Sequence, residues 1–344
     1  MNTPITMADV AREIGVSTST VSRALRNDPR ISVERRERIK DTAQRLGYRP
    51  NPLVSALISS RKSHFDKVAV NTIALVTDYG GSINWQAKDV CRWEFDGVAK
   101  RADELGYRIE EFALANYKSD AKKLSEVIYN RGIRGVILGF SRDRQRKNLI
   151  ETDRFAVAGL SAYFRMAQVD RTNFHGLYNV RLALEEMRKL GYRKTGLVVP
   201  EFNNRISGGQ WTAGALDWQR TLPESDRCAP FAPKIEDSEA AFREWIDHER
   251  PDSLLVYKLP VSTWLSKLGL RAPIDIGIAY LFRTQEEMDT AAGIDGNLQQ
   301  VGAATVDLVV GSLNTNQVGL PSTPKEVLIK GTWRHGRTLK RIIV

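Results

Sequence analysis

Residues 17–26 read Ser17-Thr18-Ser19-Thr20-Val21-Ser22-Arg23-Ala24-Leu25-Arg26. In a helix capped by Ser17, the apolar Val21, Ala24 and Leu25 fall on one side. The other side carries Thr18, Ser19, Ser22, Arg23 and Arg26, which are hydroxyls and guanidinium groups without a carboxylate. Upstream, Thr6-Met7-Ala8-Asp9-Val10-Ala11-Arg12-Glu13-Ile14 predicts a first short helix. Thr6 caps it, Asp9 places a favourable charge in its first turn, and Val10 and Ile14 share a face. Gly15 supplies the left-handed residue that ends it. Downstream, Asp28-Pro29 breaks the chain, and Ser32 caps a third helix over Val33–Leu46, with Ile39, Ala43 and Leu46 apolar and Gly47-Tyr48 closing it. Two short helices joined by a tight glycine turn make a helix-turn-helix, whose second helix is shaped to enter a DNA major groove. A small helical domain with a merely solvated polar face is the alternative. The turn spacing, the acid-free second helix and the capped third helix weigh against it.

The charge distribution agrees. Of the 344 residues, the first 62 hold 12 Lys/Arg against 6 Asp/Glu, and the remainder hold 39 against 35, so the net +10 is concentrated at the N-terminus. That is the electrostatic footprint of a phosphate-binding module on a nearly neutral body. An apolar content of 42% and a charged content of 27% are ordinary for a globular chain, and the length allows a large core or two lobes. Cys91 and Cys228 lie far apart without metal-ligand spacing and read as reduced thiols of a cytosolic protein. Without an apolar run of 18 residues or an N-terminal apolar segment, neither export nor membrane spanning is expected.

The string TMADVAREIGVSTSTVSRALRNDPRISVERRERIKDTAQRLGYRPN, Thr6–Asn51, resembles the headpiece of the lactose-repressor (LacI/GalR) family of bacterial transcription regulators. The resemblance implies that Thr18, Ser19 and Arg23 read base edges. Their chemistry agrees, since Arg takes guanine O6 and N7 bidentately and Thr and Ser are short, versatile partners. Thr6, Ser17, Ser22, Arg26 and Arg35 are placed for phosphate, where contacts position rather than specify. After Arg49-Pro50-Asn51 the stretch Pro52–Lys62 suits about two helical turns, too short to be stable alone. The resemblance makes it a hinge helix that folds against its twin in the minor groove, with Leu57 wedged into the central base step. A plain linker with a frayed turn would carry the same pattern, and Pro52-Leu53 stands where the family often has a small residue and an Arg.

From Val68 onward, strand-like runs alternate with helical periodicity. The strands are expected at Asn71–Thr77, Arg108–Ala113, Gly135–Leu138 and Phe155–Leu160, then at Lys194–Val199, Ser253–Tyr257, Asp275–Ala279 and Lys325–Ile329. Helices are expected from Trp93 to Leu105, at Asp120–Asn130, near Arg144–Glu151 and at Gly176–Leu190. Further helices are expected at Gln210–Gln219, Ser238–His248, Val261–Leu268 and Leu298–Ser312. Such alternation predicts parallel α/β sheets with helices on both faces. The order is similar to the two-lobe, periplasmic-binding-protein-like body of the same family, supported by Leu105-Gly106-Tyr107 and Leu190-Gly191-Tyr192 helix endings and by Asp295 before Val301-Gly302-Ala303-Ala304.

The expected organisation is therefore a headpiece at 1–50, a hinge at 51–63 and a two-lobe effector-binding and dimerisation domain at 64–344. The first lobe covers about 68–168 plus part of 295–325, and the second about 169–292 plus the C-terminal segment. In this family a cleft between the lobes binds the effector, commonly through an Arg three residues before a Gly, an Asn-Asp pair and a later Asp. Here Trp211 stands in the Arg position, Tyr257-Lys258-Leu259-Pro260 lacks the Asn-Asp pair, and Tyr280-Leu281-Phe282 replaces the terminal acid. These departures point to a more aromatic cleft, with Asp78, Tyr79, Trp211, Tyr257, Lys258 and Phe282 as candidate contacts to a sugar or sugar derivative. A degenerate cleft in an effector-independent regulator is the other possibility the residues leave open.

The four His are scattered, Ser207-Gly208-Gly209 has no strand-elbow context, and Gly80-Gly81 is no phosphate loop. No metal, cofactor or enzymatic activity is therefore expected. The expectation is a cytoplasmic, nucleoid-associated homodimer that represses transcription from a pseudo-palindromic operator under control of a small effector.

Overall fold

The computed structural model describes residues 5–25, 28, 30–48, 71–79, 84–141, 149–161, 168–234, 238–283 and 290–342. The expected hinge with Leu57, and also Arg26, lie outside them.

The first three helices are α1 (Met7–Ile14), α2 (Thr18–Leu25) and α3 (Val33–Arg45). They enclose a small core of Val10, Ala11, Val21, Ala24, Ile31, Ile39 and Ala43, edged by Met7, Ile14, Val16, Leu25, Leu46 and Tyr48. These are the positions at which helical periodicity places apolar side chains on facing stripes.

By its contacts the chain divides into two compact units, the first of which includes the three helices. One comprises Met1–Trp85, Val98–Arg171 and Gly302–Glu326, the other Gln86–Gly97, Thr172–Val301 and Val327–Val344. The elements run β1 (Thr72–Asp78), α4 (Asp89–Glu104), β2 (Arg108–Ala113), α5 (Ala121–Asn130), β3 (Gly135–Ser141), β4 (Ala156–Leu160) and β5 (Arg171–Phe174). Then come α6 (Gly176–Lys189), β6 (Thr195–Val198), α7 (Glu201–Ile206), α8 (Gln210–Gln219), α9 (Glu239–Glu249), β7 (Ser253–Val256) and α10 (Val261–Lys267). The series ends with β8 (Gly277–Tyr280), β9 (Ala292–Asp295), α11 (Leu298–Asn314), β10 (Glu326–Ile329) and β11 (Thr332–Arg334).

One sheet has the order β10-β5-β4-β3-β1-β2, with β1 parallel to β2 and β3 and β3 parallel to β4. Ile73–Val76 and the whole of β3 are buried, as strands covered on both faces must be. A Cβ at Gly135 would sit 2.8 Å from Val309 Cγ1, so glycine there lets α11 lie directly on β3. The other sheet has the order β11-β9-β8-β7-β6, with β11 antiparallel to β9 and the remaining pairs parallel. Its strands alternate cleanly between faces. Leu197, Val199, Leu255, Ala279 and Leu281 meet α6 and α8, whereas Val198, Leu254, Val256, Ile276 and Ile278 meet Phe242, Ile246, Trp264 and Leu265.

Several expected elements need correction. Strands β5, β9 and β11 and helix α7 carry no signal strong enough to be read from sequence: the strands are three or four residues long, and the helix is six. Of the helix expected near Arg144–Glu151, residues 144–148 lie outside the described residues, and Leu149–Glu151 are not helical.

Candidate functional site

The headpiece is built from its caps. The Asp9 carboxylate accepts the Thr6 backbone N–H at 2.9 Å and the Thr6 hydroxyl at 2.6 Å. The Thr6 hydroxyl, then its amide, hold the Asp9 pKa below the usual carboxylate value. Thr6 thus caps the start of α1 and is exposed at the surface. Gly15 adopts φ 73°, and Val16 N–H returns to Ala11 O at 3.0 Å, which turns the chain into Ser17. Ser17 Oγ accepts the Thr20 N–H at 3.1 Å and shares hydrogen bonds of 2.8 Å with the hydroxyls of Ser19 and Thr20.

The presented face of α2 follows from this. Val21 and Ala24 are fully buried against the headpiece core, so Thr18 and Ser19 must face outward, and both are exposed. Arg23 lies one turn on, where its Nε donates to Ser19 O at 3.3 Å and its Nη2 to Ser19 Oγ at 3.4 Å. The guanidinium is thereby extended along the helix instead of wandering, which lowers the entropy lost on binding. Ser22 is half-buried, and Arg35 is exposed in the first turn of α3, its amide donating to Ser32 Oγ at 3.4 Å. Between α2 and α3, Asp28 accepts Arg30 Nη2 at 2.6 Å and Nε at 2.9 Å, and this hydrogen-bonded pair lowers the Asp28 pKa to about 2.

A second constellation lies in the second unit. Phe174 ends β5, Trp211 sits in the first turn of α8, Tyr257 follows β7 and Phe282 follows β8. Gly209 at φ 75° and the Asn204 side chain, accepting Thr212 N–H at 3.1 Å, start α8 so that Trp211 turns inward. The ring centroids of Trp211 and Tyr257 are 4.6 Å apart, those of Phe174 and Phe282 4.9 Å, and those of Tyr257 and Phe282 5.7 Å. Trp211 is 3% exposed, and its Nε1–H has no hydrogen-bond partner among the described residues. A buried orphan donor costs about 1–3 kcal/mol, so the aromatic packing must outweigh it.

Three of the expected effector contacts, Trp211, Tyr257 and Phe282, therefore come together. Lys258 follows at φ 64°. Asp78 and Tyr79 end β1 in the first unit, where Ser141 Oγ donates to Asp78 Oδ2 at 3.3 Å and Tyr79 is buried.

Beside Phe282 the second unit holds a cavity of about 350 Å³, walled by Trp93, Phe282, Arg283 and the stretch Ile294–Gln300. Gly97 makes this wall possible: a Cβ there would fall 1.9 Å from Gln299 O, so only glycine lets α4 lie against the start of α11. Trp93, one turn earlier on α4, is thereby brought onto the cavity. Sequence reasoning missed Phe174, Trp93, Arg283 and Asn297. Phe174 closes a short polar strand, and the only signal for Trp93 was its spacing of four from Gly97. Among the described residues no group of His, Cys and carboxylates could hold a metal, and no helix is long and apolar enough to cross a membrane. Both described cysteines are buried, and burial pushes the Cys228 thiol up to about 12.

A capped helix-turn-helix ahead of parallel α/β units defines a DNA-binding transcription regulator. Residues 6–51 match the family described as "Bacterial regulatory proteins, lacI family". It is 21% identical over 324 residues to the HTH-type transcriptional regulator MalR of Streptococcus pneumoniae, covering 91% of this chain and 94% of that one. It is also 40% identical over 151 residues to catabolite control protein A of Staphylococcus epidermidis, covering 42% and 40% of the two chains. Among solved structures, the lac repressor dimer bound to operator and the anti-inducer ONPF matches with a TM-score of 0.57 at 18% identity, covering 98% of this chain and 100% of that one. The transcriptional regulator CelR–cellobiose complex matches with a TM-score of 0.56 at 17% identity, covering 97% and 99%.

Proposed function

We propose that the protein is a homodimeric repressor whose two headpieces read a pseudo-palindromic operator and whose affinity is set by a small effector, a sugar or sugar derivative. The observation that carries the reading is the α2 face, where exposed Thr18 and Ser19 and a tethered Arg23 stand on a helix without a carboxylate. Thr18, Ser19 and Arg23 contact base edges, while Thr6, Ser17, Ser22, Arg26 and Arg35 contact phosphate. One headpiece covers too little duplex for specific binding at cellular salt, so a two-fold dimer on a two-fold site is the economical arrangement. The division into a headpiece at 1–50, a hinge at 51–63 and an effector-binding body at 64–344 is part of this proposal. The operator-bound and sugar-bound neighbours support the two activities.

The effector contacts we propose are Asp78, Tyr79, Trp211, Tyr257, Lys258 and Phe282. One observation favours a second reading, an effector-independent regulator: Trp211 is already packed against Phe174 and Tyr257, filling its own neighbourhood. The deciding experiment is a titration of purified protein onto DNA flanking its gene, at stated salt, with and without a panel of sugars. Tight binding to one palindrome that a sugar shifts is the expected result. Tight binding indifferent to every ligand supports the second reading, and no preference over random DNA refutes both.

Arg23→Ala is expected to cost about 1–3 kcal/mol on the operator and to relax specificity at one base pair. Equal loss on random DNA would make Arg23 a phosphate contact only. Leu57→Ala is expected to reduce both operator bending and specific affinity, because a wedged apolar side chain unstacks the central step. A bend angle unchanged in a gel-phasing assay would exclude the wedge.

A further inference from the structure

Arg23 carries two pairs of N–H donors that can bind in parallel: a side fork of Nε and Nη2, and an end fork of Nη1 and Nη2. The side fork is occupied. Nε donates to Ser19 O at 3.3 Å and Nη2 to Ser19 Oγ at 3.4 Å, contacts that a spacing of four along α2 brings within reach. Ser19 is itself held, since its Oγ lies 2.8 Å from Ser17 Oγ, which accepts the Thr20 N–H at 3.1 Å and caps the helix. The line from cap to guanidinium runs along the face of α2 opposite the buried Val21 and Ala24. Among the described residues Arg23 Nη1 makes no hydrogen bond, and Asp28, the acid beyond α2, is forked by Arg30 at 2.6 and 2.9 Å.

Guanine presents two acceptors to the major groove, O6 and N7, and one fork of an Arg satisfies both. The remaining guanidinium donors lose water when the helix enters the groove, and a desolvated donor left unmet is costly. Ser19 meets two of them, at Nε and at Nη2, in the geometry that the protein already holds. In the free protein these bonds compete with water. Against the duplex that competition ends, so their effect is larger in the complex than on the exposed helix.

We propose that Ser19 is a positioning residue for Arg23: it holds the side fork so that the end fork, Nη1 with Nη2, meets O6 and N7 of one guanine in each half-site. This deepens the DNA-reading proposal above and rests on it. The role adds to the base contact proposed for Ser19 and is read at a different base pair. Any residue at position 19 supplies the backbone carbonyl, so the part that depends on the side chain is the Oγ contact to Nη2. Without that oxygen the planar group swings, and side-fork and end-fork poses compete for the base. Ordering one such long side chain corresponds to about three- to tenfold in affinity.

The test uses the full-length protein and duplexes carrying the palindrome found in DNA flanking its gene, each base pair substituted in turn in both half-sites, at one stated salt concentration. The pair at which Arg23→Ala loses discrimination is the pair that Arg23 reads. There, Ser19→Ala is expected to lower the preference for guanine about three- to tenfold per half-site, with affinity for random DNA unchanged. Ser19→Thr keeps a γ-oxygen and is expected to restore the preference. In the Arg23→Ala background, Ser19→Ala is expected to change nothing at that pair, because the coupling lies between these two side chains. Ala is the better helix former, so lost helix cannot imitate the result. Full discrimination at the Arg23 pair in Ser19→Ala, with loss at another pair alone, overturns the inference and leaves Ser19 a base contact only. Equal loss on operator and random DNA, or an Arg23→Ala protein that loses discrimination at no pair, overturns it as well. A wild-type protein that prefers no duplex over random DNA overturns the DNA-reading proposal itself, and the inference with it.

Discussion

Ile39→Ala is expected to unfold the headpiece and abolish operator binding while both α/β units stay folded. Ile39 is fully buried at the centre of a core drawn only from headpiece residues, among them Val10, Val21 and Ala43. Truncating a buried Ile to Ala costs about 2–5 kcal/mol through lost transfer energy and an unfilled cavity. A unit of this size has on the order of 2–7 kcal/mol to lose, at roughly 0.05–0.15 kcal/mol per residue. The substitution therefore consumes most of the stability of the headpiece. The caps at Thr6, Ser17 and Ser32 cannot compensate, since each is worth about 1 kcal/mol. Operator titration combined with limited proteolysis checks this: protease should release the N-terminal segment first and leave a resistant body. Wild-type operator affinity in the variant would show that the three helices do not depend on this core.

Trp211→Ala carries the second large effect, and here two terms oppose each other. Losing the indole from a core that includes Val180, Ala183, Leu184 and Leu255 costs about 3–5 kcal/mol. Removing the orphan Nε1–H relieves about 1–3 kcal/mol. The ring term is the larger, and a net destabilisation of about 2 kcal/mol, the difference between the centres of the two ranges, is expected by denaturant unfolding. Trp211→Phe separates the terms: it keeps an aromatic ring against Phe174 and Tyr257, removes the donor, and should sit much closer to wild type. A Trp211→Ala protein as stable as wild type would mean that the indole is free to meet a ligand instead of supporting the unit. Unchanged effector affinity in Trp211→Phe would remove the Trp211 N–H from the ligand contacts.

These two residues mark where sequence reading succeeds and where it stops. The headpiece was legible because everything that makes it is local. Cap, helix, glycine turn and next cap follow within a few residues, and the apolar stripe repeats at helical spacing from Val10 to Ala43. The outward face of α2 follows from Val21, Ala24 and Leu25 facing the core. The long helices α6, α8 and α11 and the buried runs of β1 and β3 were legible for the same reason.

The aromatic constellation of the second unit was legible only in part. Trp211, Tyr257 and Phe282 were picked out as departures from a family pattern, but their mutual contact is a tertiary fact. Phe174 joins them because β5 ends where α6 begins, and a four-residue polar strand carries too little periodicity to be seen beforehand. The cavity depends on longer separations still. Trp93 and Gln299 are over 200 positions apart, and they share a wall because Gly97 lets two helices touch backbone to backbone. Arg283 is only 7% exposed, and no property of its neighbours in the chain announces that. The sequence by itself determined a DNA-reading headpiece ahead of parallel α/β units, because caps, periodicity and buried strands are short-range physics. The tertiary structure alone decided which aromatic rings pack together and which residues line the cavity, because those depend on close approach between segments that only the finished fold brings together.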